Sequence, residues 1–157
     1  MKLEFELSDV FKVSGIIDYR PFIVEGKIGK VSPPPPAEGR VDAEVGLMKI
    51  TLSETEQEYL FWNLATFSGL LASQGLRLAS IYEAAAWKAS EEVPESRKFS
   101  SSSWICVAMG SDDGKTLSSV TGSSVGDHPD TLCFTEQKLW IFNNGKRGNY
   151  FYVARLS

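Results

Sequence analysis

Two cysteines, Cys106 and Cys133, and one histidine, His128, are all that 157 residues offer to metal or thiol chemistry. A structural zinc ion wants four Cys or His ligands, so no zinc site is expected. The cysteines, 27 positions apart, could bridge in an exported protein, but two cysteines in a domain of ordinary size are more often free, buried thiols. Long apolar runs are missing too: every uninterrupted stretch falls far short of the roughly 20 residues that span a bilayer. The first residues, MKLEFELSD, alternate charge with hydrophobe instead of forming a signal peptide's apolar stretch. No membrane partner and no export signal are therefore expected, which fits a cytoplasmic or virion-associated protein. Positive charge is also short, with 16 Lys and Arg against 20 Asp and Glu, a net charge of −4. Nucleic acid is not an expected partner unless a local basic patch supplies the attraction.

What is present is enough apolar material for a core. Hydrophobic residues make up 43% of the chain, and a chain of this length buries roughly 68–70% of its unfolded surface. One domain, residues 1–157, is expected, with strands and a Pro-rich loop over 1–47 and a core over 48–157. Leu3, Phe5 and Leu7 alternate with Lys2, Glu4 and Glu6, the signature of a half-buried strand. Extended segments also suit Phe22 to Val24 and Val41 to Leu47, where Val41, Ala43, Val45 and Leu47 share a face. Ser32 to Pro36 carries four consecutive prolines and reads as a stiff surface loop in polyproline II conformation.

The middle of the chain reads as two helices. Ser53-Glu54-Thr55-Glu56 has the grammar of a capping box, and Leu60, Leu64, Phe67 and Leu71 recur as one apolar stripe, predicting a helix that ends near Gly75. The same grammar returns at Ser80-Ile81-Tyr82-Glu83, followed by Ala84, Ala85, Ala86, Trp87 and Ala89, until Pro94 prevents continuation. After Arg97 the aromatic and β-branched content predicts strands at Trp104 to Met109, Thr131 to Phe134, Lys138 to Phe142 and Tyr150 to Leu156. Ser100 to Ser103 and Ser118 to Gly126 read as loops. Asp113-Gly114 and Asn144-Gly145 read as hairpin turns, the latter joining the last two strands. Segregated strands and helices of this kind predict an α+β fold, two helices packed on antiparallel sheet with long polar loops.

Candidate chemistry is sparse. Gly110 to Thr116 superficially resembles a phosphate loop, but three residues separate its glycines where four are needed, and Asp112 and Asp113 sit where phosphate oxygens would lie. From Gln137 onward there is no acidic residue, while Lys138, Lys146, Arg147 and Arg155 are interleaved with Trp140, Phe142, Tyr150, Phe151 and Tyr152. Basic and aromatic side chains together suit single-stranded nucleic acid; they equally suit a C-terminal hairpin with its aromatics in the core. A nucleophilic mechanism would have to use His128, with Cys106 or Cys133 as thiolate, and Asp127-His128-Pro129-Asp130 reads as a polar turn.

Gly75-Leu76-Arg77-Leu78-Ala79-Ser80-Ile81-Tyr82-Glu83 resembles the G-W-R-L-P-T-x-x-E signature that opens the second helix of bacterial and phage C-type-lectin-like domains. Tyr152-Val153-Ala154-Arg155-Leu156 is similar to their final aromatic-Val-x-Arg strand, and the order of elements is similar over residues 45 to 157. The resemblance implies a C-type-lectin-like α+β fold and a recognition role in a phage or bacterial setting. Leu76 and Ala79 depart from the tryptophan and proline of the signature. His128-Pro129-Asp130 and Trp140-Ile141-Phe142 stand where calcium-binding members carry oxygen donors, so calcium-dependent sugar binding is not expected. Nor is the cysteine pair of the formylglycine-type enzymes matched.

The expected function is that of a non-enzymatic binding module, without cofactor or metal, whose C-terminal loops take a protein or glycan. Trp140, Tyr150 and Tyr152 are the expected anchors, because aromatic side chains give large contact area at low entropy cost; Asn143, Arg147, His128 and Asp130 are the expected polar contacts. Two alternatives stand beside it: a small enzyme with a pocket centred on His128 and its neighbouring aspartates, and a structural or assembly subunit, in which the strand Lys2 to Leu7 pairs with a neighbour as a homo-oligomer.

Overall fold

In the computed structural model the described residues are 2–22, 36–95, 105–109, 117–121, 138–143 and 149–157. The longest strand, β3 (Glu38–Ser53), organises the rest, and it is preceded by β1 (Lys2–Leu7) and β2 (Phe11–Asp18). Side chains of a strand alternate between faces. Along β3, Val41, Val45 and Leu47 join one core, and Met48, Ile50 and Leu52 join another on the opposite face. Both faces are thus covered.

Antiparallel to β3, along one edge, run β1 and β2. Leu7 pairs with Met48 and Phe11 with Val45, so residues 8–10 face residues 46–47, one residue too many. This is a β-bulge. Ser8 closes it: its N–H donates to the Leu47 carbonyl at 2.9 Å, and the Leu47 N–H donates to Ser8 Oγ at 2.8 Å. Gly46 is needed opposite, since a Cβ there would lie 2.9 Å from Val10 Cγ1. The other edge of β3 takes β9 (Asn149–Arg155), from Val45 opposite Ala154 to Ile50 opposite Asn149.

Beyond β9 lie β5 (Leu76–Leu78), antiparallel, and β6 (Ile105–Met109), parallel, followed by β7 (Leu117–Thr121) antiparallel to β6. A second, two-stranded sheet pairs β4 (Tyr59–Asn63) with β8 (Lys138–Phe142). Two helices, α1 (Leu64–Ala72) and α2 (Ile81–Ala89), complete the described elements of an α+β fold. Neither is long and apolar enough to cross a membrane.

Every residue of α2 from Ile81 to Trp87 is buried. It packs among Val13, Tyr19, Val41, Val45, Leu47 and Tyr152, and fully buried Ala84 and Ala85 let its backbone come close to the sheet. Burying one large apolar side chain contributes about 1.5–3 kcal/mol. The opposite core places Phe67 and Leu71 of α1 against Met48, Ile50, Phe151 and Val153. Gly75, with φ of 75°, turns the chain out of α1 into β5, a left-handed conformation that costs glycine nothing.

The strand at 2–7, the face shared by Val41 to Leu47, the strands at 138–142 and near 150–156, and the second helix with its cap all appear as the sequence predicts. Others differ. No helix begins at Ser53: that residue ends β3, Glu54 takes a left-handed φ of 55°, and Thr55 Oγ1 accepts the Gln57 N–H in a local turn. The helix starts ten residues later, where Asn63 Oδ1 accepts the Ala65 N–H at 2.8 Å. Leu60 of the predicted stripe therefore belongs to β4. Phe22 closes a short 3-10 turn instead of starting a strand. Ser118 to Thr121, expected in a loop, lies in β7. The last two strands do not form a hairpin, because β8 pairs with β4 and β9 with β3. Val24, Ser32 to Pro35, the turns at Asp113-Gly114 and Asn144-Gly145, and Thr131 to Phe134 lie outside the described residues.

Candidate functional site

The segment that resembles the lectin-like signature folds into a clasp. Leu76 and Leu78 of β5 point into the core, which turns Arg77 to the other side. Arg77 Nη1 and Nη2 donate to Glu83 Oε1 and Oε2, each at 2.7 Å. Glu83 Oε1 also accepts the Ser80 N–H at 2.9 Å, and Ser80 Oγ accepts the Glu83 N–H at 3.1 Å. Burial alone would push the Glu83 carboxyl up, but Arg77 and the Ser80 N–H outweigh it and hold it below its ordinary value. The same hydrogen bonds raise Arg77 above its own. All three polar side chains are committed to fixing the start of α2 on β5 and, through the Ala79 N–H to the Tyr152 carbonyl at 2.9 Å, on β9.

At one end of the main sheet several strand termini come together. Ile105, the first residue of β6, is paired with Thr121, the last of β7. Next to Ile105, Cys106 is paired with Tyr150, and Asn149 begins β9 opposite Ile50. These termini lead into residues 96–104, 122–137 and 144–148. The expected contact loops 100–103, 118–130 and 143–149 are thus tethered largely from one end of one sheet.

The expected contact residues are placed unevenly there. Tyr152 is removed from the anchors: it is 1% exposed, packed edge-on against Trp87 with ring centroids 5.5 Å apart, and has no surface to offer a partner. Tyr150, two positions earlier on the same face, is half-buried against the same core. Asn143 is exposed, but its side-chain amide donates to the Thr55 and Gln57 carbonyls at 3.1 and 3.2 Å, and its N–H to the Glu58 carbonyl at 2.8 Å. Asn143 therefore holds the 55–58 turn against the end of β8. Beside it Tyr59 is 41% exposed, an aromatic at this position that sequence reading missed because its strand was taken for helix. Trp140 sits in β8 opposite Phe61; its side chain, and Arg147, His128, Asp130 and Cys133, lie outside the described residues.

Two open grooves lie elsewhere. One, about 260 Å3, is lined by Lys12, Asp42, Glu44, Arg77, Arg155 and Leu156 among others. Its arginines are already paired, Arg77 with Glu83 and Arg155 with Glu44 at 3.5 Å. The other, about 430 Å3, runs between β2 and the end of α2. Among the described residues no three His, Cys, Asp or Glu side chains gather to hold a metal ion.

Compared with protein-family models, with curated proteins and with solved structures, the chain matches none.

Proposed function

We propose that the chain is a non-enzymatic binding module of C-type-lectin-like architecture that recognises a protein or glycan, on a phage or bacterial surface, with the loop-bearing end of its main sheet. The observation that carries this reading is the convergence of Ile105, Thr121 and Asn149 at one sheet end, from which three connections depart. Loops on a rigid scaffold vary chemically without disturbing the core. Use of Arg77, Ser80 and Glu83 in a clasp supports the reading further, since the signature residues then serve architecture and leave chemistry to the loops. Trp140 and Tyr150 are the anchors, with Tyr59 joining them, and Asn143, Arg147, His128 and Asp130 supply polar contacts.

The test is a comparison of the intact chain with a variant in which residues 122–130 and 144–148 are replaced by Gly-Ser sequence of equal length. Both are passed over arrays of bacterial polysaccharides and surface proteins. Saturable binding by the intact chain, lost in the variant while Tm stays within a few degrees, supports the reading. Binding that survives the replacement overturns it.

A further inference from the structure

The groove beside β2 has three properties that belong together. First, β2 is an edge strand: among the described residues it pairs with β3 alone. The Tyr19 N–H donates to the Ala37 carbonyl at 3.2 Å, continuing the β2–β3 register. In an antiparallel ladder only alternate residues bond to a given neighbour, so odd-numbered residues face β3. The N–H and C=O groups of Lys12, Ser14 and Ile16 therefore point away from the sheet, with no strand among the described residues beside them.

Second, the groove along this edge has apolar side chains in its lining beside polar ones. Val13 and Ile17 of β2 and Ala86 and Ala89 of α2 line it. Ile16 stands at its lip, 67% exposed, the most exposed of the large hydrophobic side chains described. Third, its rim at the end of α2 carries Glu91 and Glu92, exposed and in no ion pair among the described residues, against the single cation Lys12. The lining thus carries an excess of one negative charge.

We infer that the β2 edge is a docking site for an extended segment of a partner protein that presents apolar and basic side chains on one face. Such a segment adds a strand to β2, bonding to the outward groups of Lys12, Ser14 and Ile16. On the face that the segment turns toward α2, its apolar side chains enter the groove and its basic ones meet Glu91 and Glu92. A strand edge paired with a helix supplies main-chain affinity and a side-chain pocket at once, and the acidic rim selects the sign of the partner's charge. This surface lies along residues 38–45 of β3, at the far end from Ile50 and Asn149, so it stands or falls independently of the loop-end reading.

The probe is acetyl-Val-Thr-Val-Thr-Lys-Thr-Lys-amide, which carries valine and lysine on one strand face, with acetyl-Val-Thr-Val-Thr-Glu-Thr-Glu-amide as its charge-reversed counterpart, titrated into the intact chain at low salt and followed by amide NMR. The lysine peptide is expected to shift the amides of Lys12, Ser14, Ile16, Glu91 and Glu92, and to bind several-fold more tightly than the glutamate peptide. Reversing both rim charges, Glu91→Lys with Glu92→Lys, is expected to weaken the lysine peptide roughly tenfold, as two exposed charge contacts are inverted. Ser14→Pro removes an outward N–H without removing a bond to β3 and is expected to abolish binding. Equal shifts from both peptides, absence of shifts, or shifts confined to the Asn149 end overturn the inference. Should Ser14→Pro fail to fold, the rim-reversed variant, altered only at exposed residues, decides alone.

Discussion

The Arg77 guanidinium faces the Glu83 carboxylate in a two-pronged contact, Nη1 to Oε1 and Nη2 to Oε2, both 2.7 Å. Glu83 is nearly buried and Arg77 about half so, which makes the glutamate the member that suffers if the pair breaks. Because the Glu83 carboxyl is held below its ordinary value of 4.5, the stability it contributes is fully present above that value. It is lost as pH falls through the lower, folded value. Glu83→Gln is expected to cost about 1–3 kcal/mol near neutrality, by leaving the guanidinium without a charged acceptor. The same variant is expected to flatten the acid limb of the stability curve, checked by urea unfolding from about pH 7 down to about pH 3. An acid limb as steep as that of the parent would show that another carboxyl carries it.

Gly39 and Tyr82 form a second tight relationship. A Cβ at Gly39 would lie 2.6–2.8 Å from three ring atoms of Tyr82, too close for any real contact. The ring cannot easily move, since it packs edge-on against Tyr19 at 5.4 Å and its hydroxyl donates to the Pro36 carbonyl. Gly39→Ala is therefore expected to lose about 1–3 kcal/mol, the usual cost of overpacking. In the background of Tyr82→Ala, where the ring is gone, the same substitution is expected to cost far less. A double-mutant cycle in urea checks the coupling, and additive losses would contradict it.

The bulge at residues 8–10 depends on one hydroxyl. Ser8 Oγ accepts the Leu47 N–H at 2.8 Å, a donor that would otherwise lack a partner where the extra residue interrupts the ladder. Ser8→Ala is expected to cost about 1 kcal/mol, and Ser8→Thr, which keeps the hydroxyl, clearly less. Amide hydrogen exchange at Leu47 reads the effect directly: faster exchange in the alanine variant supports the role, unchanged exchange rejects it.

How much of this was legible in the sequence depends on whether the signal was local. The second helix was readable because its cap and its box partner, Ser80 and Glu83, are three residues apart and both are used. The strand Lys2 to Leu7 was readable because one of its faces is half-buried and the other is not. The strand Phe11 to Asp18 escaped notice, since Gly15 and the exposed Ile16 break the alternation that Phe11 and Val13 begin. The burial of Tyr152 was not legible either: Tyr150 and Tyr152 share a face of β9, and only the position of Trp87 on α2 decides which of them the core covers. At the candidate site, convergence of strand ends arises from pairing between residues as distant as Ile50 and Asn149, which no local pattern encodes.

The most instructive misreading supplies a test of its own. Ser53-Glu54-Thr55-Glu56 has every residue type of a capping box, and the spacing of Leu60, Leu64, Phe67 and Leu71 looks helical. A cap, however, only has value where free helix amides follow it. Here Tyr59 to Asn63 pairs with β8, an option offered by its aromatic content, and the amides that need a partner first appear after Asn63. Asn63→Ala is accordingly expected to cost about 1 kcal/mol by removing the acceptor for the Ala65 N–H. Ser53→Ala, at the end of β3 where its partner is Lys2, is expected to change stability by no more than about 0.5 kcal/mol. Chemical denaturation of the two variants side by side checks the assignment. A larger loss at Ser53 than at Asn63 would return the helix start to the position that the sequence pattern suggests.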